Sequence, residues 1–422
     1  MKRYLRYVAC LAMIMVFTAC SEIQNLIPVQ PKAGPVVTGA TTSGLSGSPT
    51  VDLVSLSWEF EETADIEAIQ IRRSDSSAPQ TIFDGDLVYL NSGGTSFEDA
   101  GVTSNTTYHY SIFTRDSQDQ WGIQESISSK TKTVTEAMRK LVQDIQAYAV
   151  ASDPSFLVVV GGGVELTTDD GLSSGNLLPG YMASIDALLQ RSVYFSPTDV
   201  TETPAPMEAY LDKIKNTGAK PIMVMDFATS GGNISTSAIA SQTKGYISFQ
   251  RPVTMTALPS DPGATTPTDV HSGNVTNLTA AQNFVVVEAP FTNHLTDIAA
   301  SNYDVIVMDI FQTDQSDAGN VVLSTQVNSL RSKGNLGNRL VLAYLDIGTI
   351  SDQYYYWDSA WDTTPESWIG ASIIGTDRYR THYWNADWQT ILFGNDSSFM
   401  KKILDAGFDG VLLDNLDEHK AH

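Results

Sequence analysis

From Met138 to Leu413 the sequence repeats one beat: a short run apolar on both faces, then a stretch with apolar residues every three to four positions. The runs are Phe156–Val160, Ile185–Phe195, Pro221–Phe227, Gly245–Phe249, Asn283–Ala289, Tyr303–Ile310, Arg339–Ile347 and Phe408–Leu413. A strand with two apolar faces must be covered on both, which is the condition of a parallel sheet flanked by helices. The intervening stretches supply that cover. Met138, Leu141, Val142, Ile145 and Tyr148 fall on one helical face, and Pro206–Asn216 and Ser397–Ala406 also read as helices. Eight parallel strands alternating with helices predict a (β/α)8 TIM barrel over residues 135–422. The interruption is Pro259–Asn277, a Pro/Thr/Asp/Gly-rich join without apolar period.

Residues 34–130 keep a different period. Leu56, Trp58 and Phe60 alternate with Ser55, Ser57 and Glu59, and Tyr108, Tyr110 and Ile112 with His109 and Ser111. Several short strands of period two, with no helical stretch between them, predict an N-terminal β-sandwich and so a multidomain chain. Leu56-Ser57-Trp58 resembles the core-tryptophan strand of a fibronectin type III domain. The stretch from Phe97-Glu98-Asp99 to Thr107-Tyr108-His109-Tyr110 resembles that family's approach to its tyrosine corner. The resemblance implies a spacer or a binding module, and a spacer is the expectation.

Ahead of the sandwich, Lys2-Arg3-Tyr4-Leu5-Arg6 is basic and Tyr7–Phe17 is apolar but short for a bilayer span. Phe17-Thr18-Ala19-Cys20 resembles a bacterial lipobox. That implies a signal peptide over 1–19, a lipid on Cys20 and a tether over 20–33, with the protein anchored in the cell envelope at an outer membrane or cell surface. Cys10 would leave with the signal, so no thiol remains for a disulfide, a zinc site or a nucleophile. The formal charge of −23 becomes −26 without Lys2, Arg3 and Arg6, which repels phosphate backbones and excludes nucleic acid as a partner. The six histidines show no ligand spacing, so no metal or other cofactor is expected, and the chain is expected to be a monomer.

Barrel active sites gather at the C-terminal ends of the strands. The polar residues there are Glu165, Asp226, Glu288, Asp309, Asp346, Asp414, Asn415 and Asp417. A ring of carboxylates is the equipment of glycosidic bond hydrolysis, where one group protonates the leaving oxygen and another attacks or activates water. Any single one is more often a loop or cap residue. A second concentration is aromatic: Trp357, Trp361, Trp368, Trp384 and Trp388, with Tyr354, Tyr355, Tyr356, Tyr379 and Tyr383, read as one long loop before the last helix. Such rings either offer a platform to sugar faces or pack together as a small core that pins the loop.

Four motifs carry a further resemblance. Asn302 to Asp309 resembles "YDxxxxD", and Val341-Leu342-Ala343-Tyr344-Leu345-Asp346-Ile347-Gly348 resembles "VLAYLSIG". Tyr383-Trp384 with Trp388-Gln389 matches "YW…WQ", and Ala406 to Asp414 matches "AGFDGVYLD". Together they resemble glycoside hydrolase family 114, the endo-α-1,4-polygalactosaminidase-like barrels. In that family the "GFDGVYLD" strand is the fourth of eight, yet here the chain ends shortly after Asp414. Phe156–Leu166, Tyr181–Phe195, Lys220–Phe227 and Gly245–Pro252 resemble its fifth to eighth strands, so a circularly permuted barrel is expected, with strands five to eight preceding one to four.

The resemblance implies a glycoside hydrolase acting on an extracytoplasmic amino-sugar polysaccharide, with Asp414 as one catalytic carboxylate and Asp309 or Glu165 as the other. Asp346, Tyr344, Trp357, Tyr383, Trp384, Trp388, Asn415 and Asp417 would bind substrate. The departures are specific. "GEAEDYRYYW" is replaced by Gly348-Thr349-Ile350-Ser351-Asp352-Gln353-Tyr354-Tyr355-Tyr356-Trp357, and Arg191 stands in the sixth-strand segment where relatives place a glutamate. The alternative is a degenerate barrel that binds glycan without cutting it, and a third class is a purely structural scaffold.

Overall fold

The structure, a computed structural model, describes residues 42–60, 66–198, 200–258 and 270–422. They fall into two compact units that divide between Lys132 and Thr133. Cys20, the lipobox-like segment and the tether lie outside the described residues.

The first unit is the expected sandwich. Its strands are β1 (Thr42–Pro49), β2 (Val54–Phe60), β3 (Ala68–Ser74), β4 (Asp86–Asn91), β5 (Ser96–Asp99), β6 (Thr107–Arg115) and β7 (Trp121–Lys130). They form two antiparallel sheets, β1-β2-β5 and β4-β3-β6-β7. The alternating residues meet between the sheets, where Leu56, Trp58, Ile69, Ile71, Tyr110 and Ile112 are buried. The Tyr108 hydroxyl accepts from the Thr103 amide at 3.0 Å, closing a tyrosine corner.

The second unit opens with helix α1 (Val134–Ser152), whose capping box pairs Thr133 with Glu136 and whose buried face carries Met138, Leu141, Val142 and Ile145. There follow β8 (Leu157–Gly161), α2 (Pro179–Ala183), β9 (Ala187–Arg191), α3 (Ala205–Asn216), β10 (Ile222–Asp226), α4 (Gly231–Lys244) and β11 (Ile247–Gln250). Beyond the join come β12 (Phe284–Val287), α5 (His294–Ala300), β13 (Val305–Met308), α6 (Ser324–Leu330) and β14 (Leu340–Asp346). A small antiparallel sheet of β15 (Thr349–Ser351), β16 (Ile369–Ser372) and β17 (Arg378–Thr381) is inserted next. Helices α7 (Ala386–Leu392) and α8 (Phe399–Ala406) then lead to β18 (Gly410–Asp414).

The eight barrel strands are parallel and lie in the order β12-β13-β14-β18-β8-β9-β10-β11. The two ends of that row meet at a parallel bridge between Ser248 and Asn283, so the sheet is nearly closed. Around the ring each strand therefore lies beside its neighbours in sequence and the first, β8, pairs with the last, β18, the order of a (β/α)8 barrel. The β18–β8 pairing sets Leu413 beside Val160.

Aspartates stitch the N-terminal end of this barrel. Asp186, Asp304 and Asp409 each stand directly before a strand, and each accepts a backbone N–H next door: Val158 at 2.8 Å, Gln282 at 2.9 Å and Val341 at 2.8 Å. The first aspartate of the "YDxxxxD" pattern is thus a closure device. Asp304 also receives Lys333 Nζ and His271 Nε2, both at 2.9 Å, which ties down the chain entering β12.

The aromatic segment is not the bare loop read from the sequence, because β15–β17 organise it and its rings pack on one another. Trp357 stacks on Tyr379 at 5.1 Å, Trp361 meets Trp368 edge-on at 5.4 Å, and Trp368 stacks on Trp388 at 5.9 Å.

Candidate functional site

The C-terminal rim brings the candidate acids together, but most of them are committed to backbone. Asp226 accepts the amides of Tyr194 and Phe195 and the Ser237 hydroxyl at 2.6 Å, holding the turn after β9. Asp309 accepts the Phe311 amide at 2.9 Å, the Tyr354 hydroxyl at 2.7 Å and Gln315 Nε2 at 2.6 Å. Asp346 accepts the amides of Gly348 and Thr349, the Thr349 hydroxyl, Asn415 Nδ2 at 2.6 Å and Arg378 Nη1. These groups do the work of caps: a buried backbone N–H has to find an acceptor.

Asp414 and Glu288 behave differently. Asp414 lies level with Asp346 on the neighbouring strand and is 1% exposed. Its Oδ1 and Oδ2 accept Arg191 Nη1 and Nη2 at 2.5 and 2.6 Å, a bidentate pair. Arg191 Nη2 also donates to Glu288 at 2.9 Å, and the other oxygen of Glu288 takes Arg251 Nη1 at 3.0 Å. Arg251 is fixed in turn by the carbonyls of Pro252 and Val253. An alternating row, Arg251–Glu288–Arg191–Asp414, thus crosses the mouth from β11 through the end of β12 and β9 to β18. Burial alone would lower the Arg191 pKa, but Asp414 and Glu288 outweigh it and hold the guanidinium firmly charged.

Gly161 at the end of β8 makes room for this arrangement, since a Cβ there would stand 2.2 Å from Asp414 Oδ1. Gly162, at φ +76°, leaves similar room for Asp417. Asp417 accepts the Gly163 amide at 3.2 Å and pairs with Lys420 at 2.7 Å.

Several expectations are corrected. Glu165 pairs with Lys420 at 2.8 Å, because the 3₁₀ turn Val164–Thr167 carries it beyond the strand end; no hydrogen bond links it to Asp414. Among the described residues Asp309 likewise bonds to Phe311, Gln315 and Tyr354 and not to Asp414. Trp388 is fully buried, with Nε1 donating to the Ile347 carbonyl at 3.1 Å. Tyr383 is also fully buried, and its hydroxyl bonds the Val134 carbonyl at 2.8 Å. Neither ring can face a sugar; both serve the packing reading. Trp384 stacks on His382 at 4.9 Å and meets His422 edge-on, while Trp357 is half-buried and bonds Asp362. Tyr344 is buried with Asp414, Arg378, Asp346 and Glu288 as its charged surroundings. Asn415 adopts φ +61°, which turns its amide back to Asp346.

The residues the sequence reading left out are the arginines. Arg191 entered only as a departure, and Arg251 and Arg378 not at all. Arg191 and Arg251 did carry a signal, being cations at the ends of apolar strands. Arg378 sat in an irregular stretch and gave none; it places a guanidinium on Asp346 although the family's own arginine is missing from 348–357.

Burial pushes the Asp309 carboxyl up to about 6, against the downward pull of its Tyr354, Phe311 and Gln315 bonds. The folded chain therefore keeps that proton to a higher pH than the unfolded one, and stability falls as pH rises from about 4 to about 6. At 1.36 kcal/mol per unit this amounts to about 3 kcal/mol. Asp309→Asn is expected to flatten that decline by a similar amount, measured as the pH dependence of urea unfolding relative to wild type; parallel curves would contradict it. No group of three or more His, Cys, Asp or Glu suited to a metal ion occurs among the described residues.

Comparison with known proteins adds relatives for parts of the chain. An uncharacterized protein of Methanocaldococcus jannaschii is 32% identical over 123 residues, covering 29% of this chain and 33% of the relative. One of Thermotoga maritima is 27% identical over 122 residues, covering 29% and 35%. The chain thus spans about a third of the length of these curated relatives. Among solved structures, a fibronectin type III domain of human contactin 1 is 18% identical, covering 25% of this chain and 87% of that domain at a TM-score of 0.21. A β-1,2-glucanase of Parabacteroides distasonis is 14% identical, covering 29% and 17% at a TM-score of 0.20. Residues 267–422, which contain β12, β13, β14 and β18 with Asp414, match the family model described as Glycoside-hydrolase family GH114, and this match suggests a barrel of the glycoside hydrolase kind.

Proposed function

We propose that the barrel receives a polysaccharide at the rim around Asp414 and holds it without hydrolysing it. The observation that carries this reading is the Arg191–Asp414 pair: both oxygens of the expected catalytic carboxylate are bound by a guanidinium. That guanidinium occupies the position where the resemblance places the partner acid. Hydrolysis needs a group that can give a proton to the leaving oxygen. Among the described residues Asp414, Glu288, Asp346 and Asp309 are each engaged as hydrogen-bond acceptors. General acid–base help is worth roughly 10²–10⁴-fold, so its loss leaves a binding site.

A second reading, hydrolysis with Asp414 as nucleophile, is favoured by the Asp309 carboxyl at about 6, a range in which it can carry a proton. One experiment separates the two. The full chain is incubated with deacetylated galactosaminan and with a panel of other polysaccharides, following retardation in affinity gels and reducing ends together. Retardation without new reducing ends is expected. Turnover that Asp414→Asn abolishes would establish the second reading. Lipidation of Cys20, suggested by Phe17-Thr18-Ala19-Cys20, would display this barrel on a bacterial membrane as a monomer.

A further inference from the structure

The ion pairs at the mouth balance. Arg191, Arg251 and Arg378 stand against Asp414, Glu288 and Asp346, and each carboxylate is held by a guanidinium. A charged sugar finds no spare counter-ion in this row and would have to break a half-buried pair to gain one. The chain as a whole, at a formal −23, repels polyanions. Its pull on a cationic polymer is screened beyond about 8 Å at physiological salt. Neither sign of ligand is matched by the mouth.

The same rim holds a cleft of about 810 Å³ between the loops that follow β11, β12 and β13. That volume is in the range of small-ligand sites. Pro290 in its wall stands two residues beyond Glu288, so the cleft borders the row of ion pairs. Of the eleven described residues that line it, none is Asp, Glu, Lys or Arg. A cavity of equal volume at the N-terminal end of the barrel is lined by Asp153, Arg331, Lys401, Asp405 and Asp409, so an uncharged lining is not a general property of this surface. Met255, Pro290, Phe291 and Leu295 give the cleft apolar surface, and four threonines give it hydroxyls. Phe291 is half-buried and braced by His294, which is 3% exposed and meets its ring edge-on at 5.7 Å. The Nδ1 and the backbone N–H of His294 both donate to the Phe291 carbonyl, at 2.9 and 3.1 Å. Burial holds that imidazole below its ordinary pKa, so it adds no charge near pH 7. An aromatic face beside hydroxyls suits an uncharged pyranose, whose C–H face is apolar and whose edge hydrogen-bonds. Trp388 and Tyr383, expected to do this, are buried.

We infer that the cleft between the β11, β12 and β13 loops is a subsite for an uncharged polysaccharide, a neutral hexose chain or a fully N-acetylated amino-sugar chain, with the Phe291 ring as its platform. This rests on the polysaccharide reading above and names its substrate class. A deacetylated amino-sugar chain, the ligand implied by the sequence resemblance, is the one the lining disfavours.

The test is calorimetric titration of the full chain with four oligosaccharides of equal length: neutral galactan, N-acetylated oligogalactosamine, deacetylated oligogalactosamine and oligogalacturonate. The salt is held at about 0.15 M, where long-range attraction is screened. One of the two uncharged probes is expected to bind at least about tenfold more tightly than either charged one, and which of them wins identifies the sugar. Phe291→Ala is expected to weaken that probe about tenfold, and Phe291→Tyr, which keeps the ring, to hold it within about threefold. Thr296 is an exposed position in the cleft wall, so Thr296→Glu is a check that survives if Phe291→Ala folds poorly. It is expected to narrow the gap between the uncharged and the deacetylated probe at least about threefold, by adding the charge the lining lacks. A charged probe binding as tightly as both uncharged ones would overturn the inference and leave polysaccharide binding standing. So would binding of an uncharged probe that neither Phe291→Ala nor Thr296→Glu alters. If none of the four binds, both readings fall.

Discussion

Arg191→Ala is expected to destabilise the barrel by about 3–5 kcal/mol, the cost of removing one partner from a buried ion pair. Asp414 is 1% exposed, and its oxygens bond only to Arg191 among the described residues, so nothing else can take over the charge. Gly161 packs against the same carboxylate from β8. Arg191→Lys is expected to recover part of the loss, since one ammonium cannot bind both oxygens in the planar fork geometry. Five of the seven tryptophans lie in the barrel unit, so tryptophan fluorescence during urea unfolding reports mainly on it. A change below about 1 kcal/mol would place the pair with ordinary surface ion pairs instead.

Lys333→Ala is expected to cost a similar amount, about 3–5 kcal/mol, for the same reason at the other end of the barrel. Lys333 and Asp304 both have side chains that are 0% exposed, and their bond is 2.9 Å long. Lys333 also bonds the His271 carbonyl at 2.8 Å, so its loss frees the segment that leads into β12 as well as stranding Asp304. This segment belongs to the connection between β11 and β12. Replacing both partners, Lys333→Met with Asp304→Leu, should cost less than Lys333→Ala alone, because no charge is left stranded. A double variant no better than the single one would show that the stitch between Asp304 and the Gln282 amide, not the ion pair, holds this end together.

The strand and helix pattern was legible because burial on both faces leaves a plain signature: Phe156–Val160 and Tyr303–Ile310 have almost no polar interruptions, and both became barrel strands. The number of strands was legible for the same reason, whereas a permuted and an unpermuted barrel give the same ring order, so the permutation rests on the resemblance. What each rim acid does was not legible. Asp226, Asp309 and Asp346 look in sequence like Asp414, and only the fold shows that three of them hold turn amides while the fourth faces an arginine. The tryptophans were misread in part for a related reason: Trp388 follows Asn385 at the start of α7, and the face of a short helix that turns inward depends on packing the sequence does not display.

That two distant parts of the sequence close one barrel and put Arg191 on Asp414 is tested most directly by a double-mutant cycle with Arg191→Met and Asp414→Asn. These positions lie 223 residues apart in sequence and are joined in the fold by a bidentate bond. A coupling energy of about 1.5–3 kcal/mol from urea unfolding is the predicted result, at the upper end for residues in direct contact. Single-variant effects that add to within about 0.5 kcal/mol, as they do for distant sites, would contradict it.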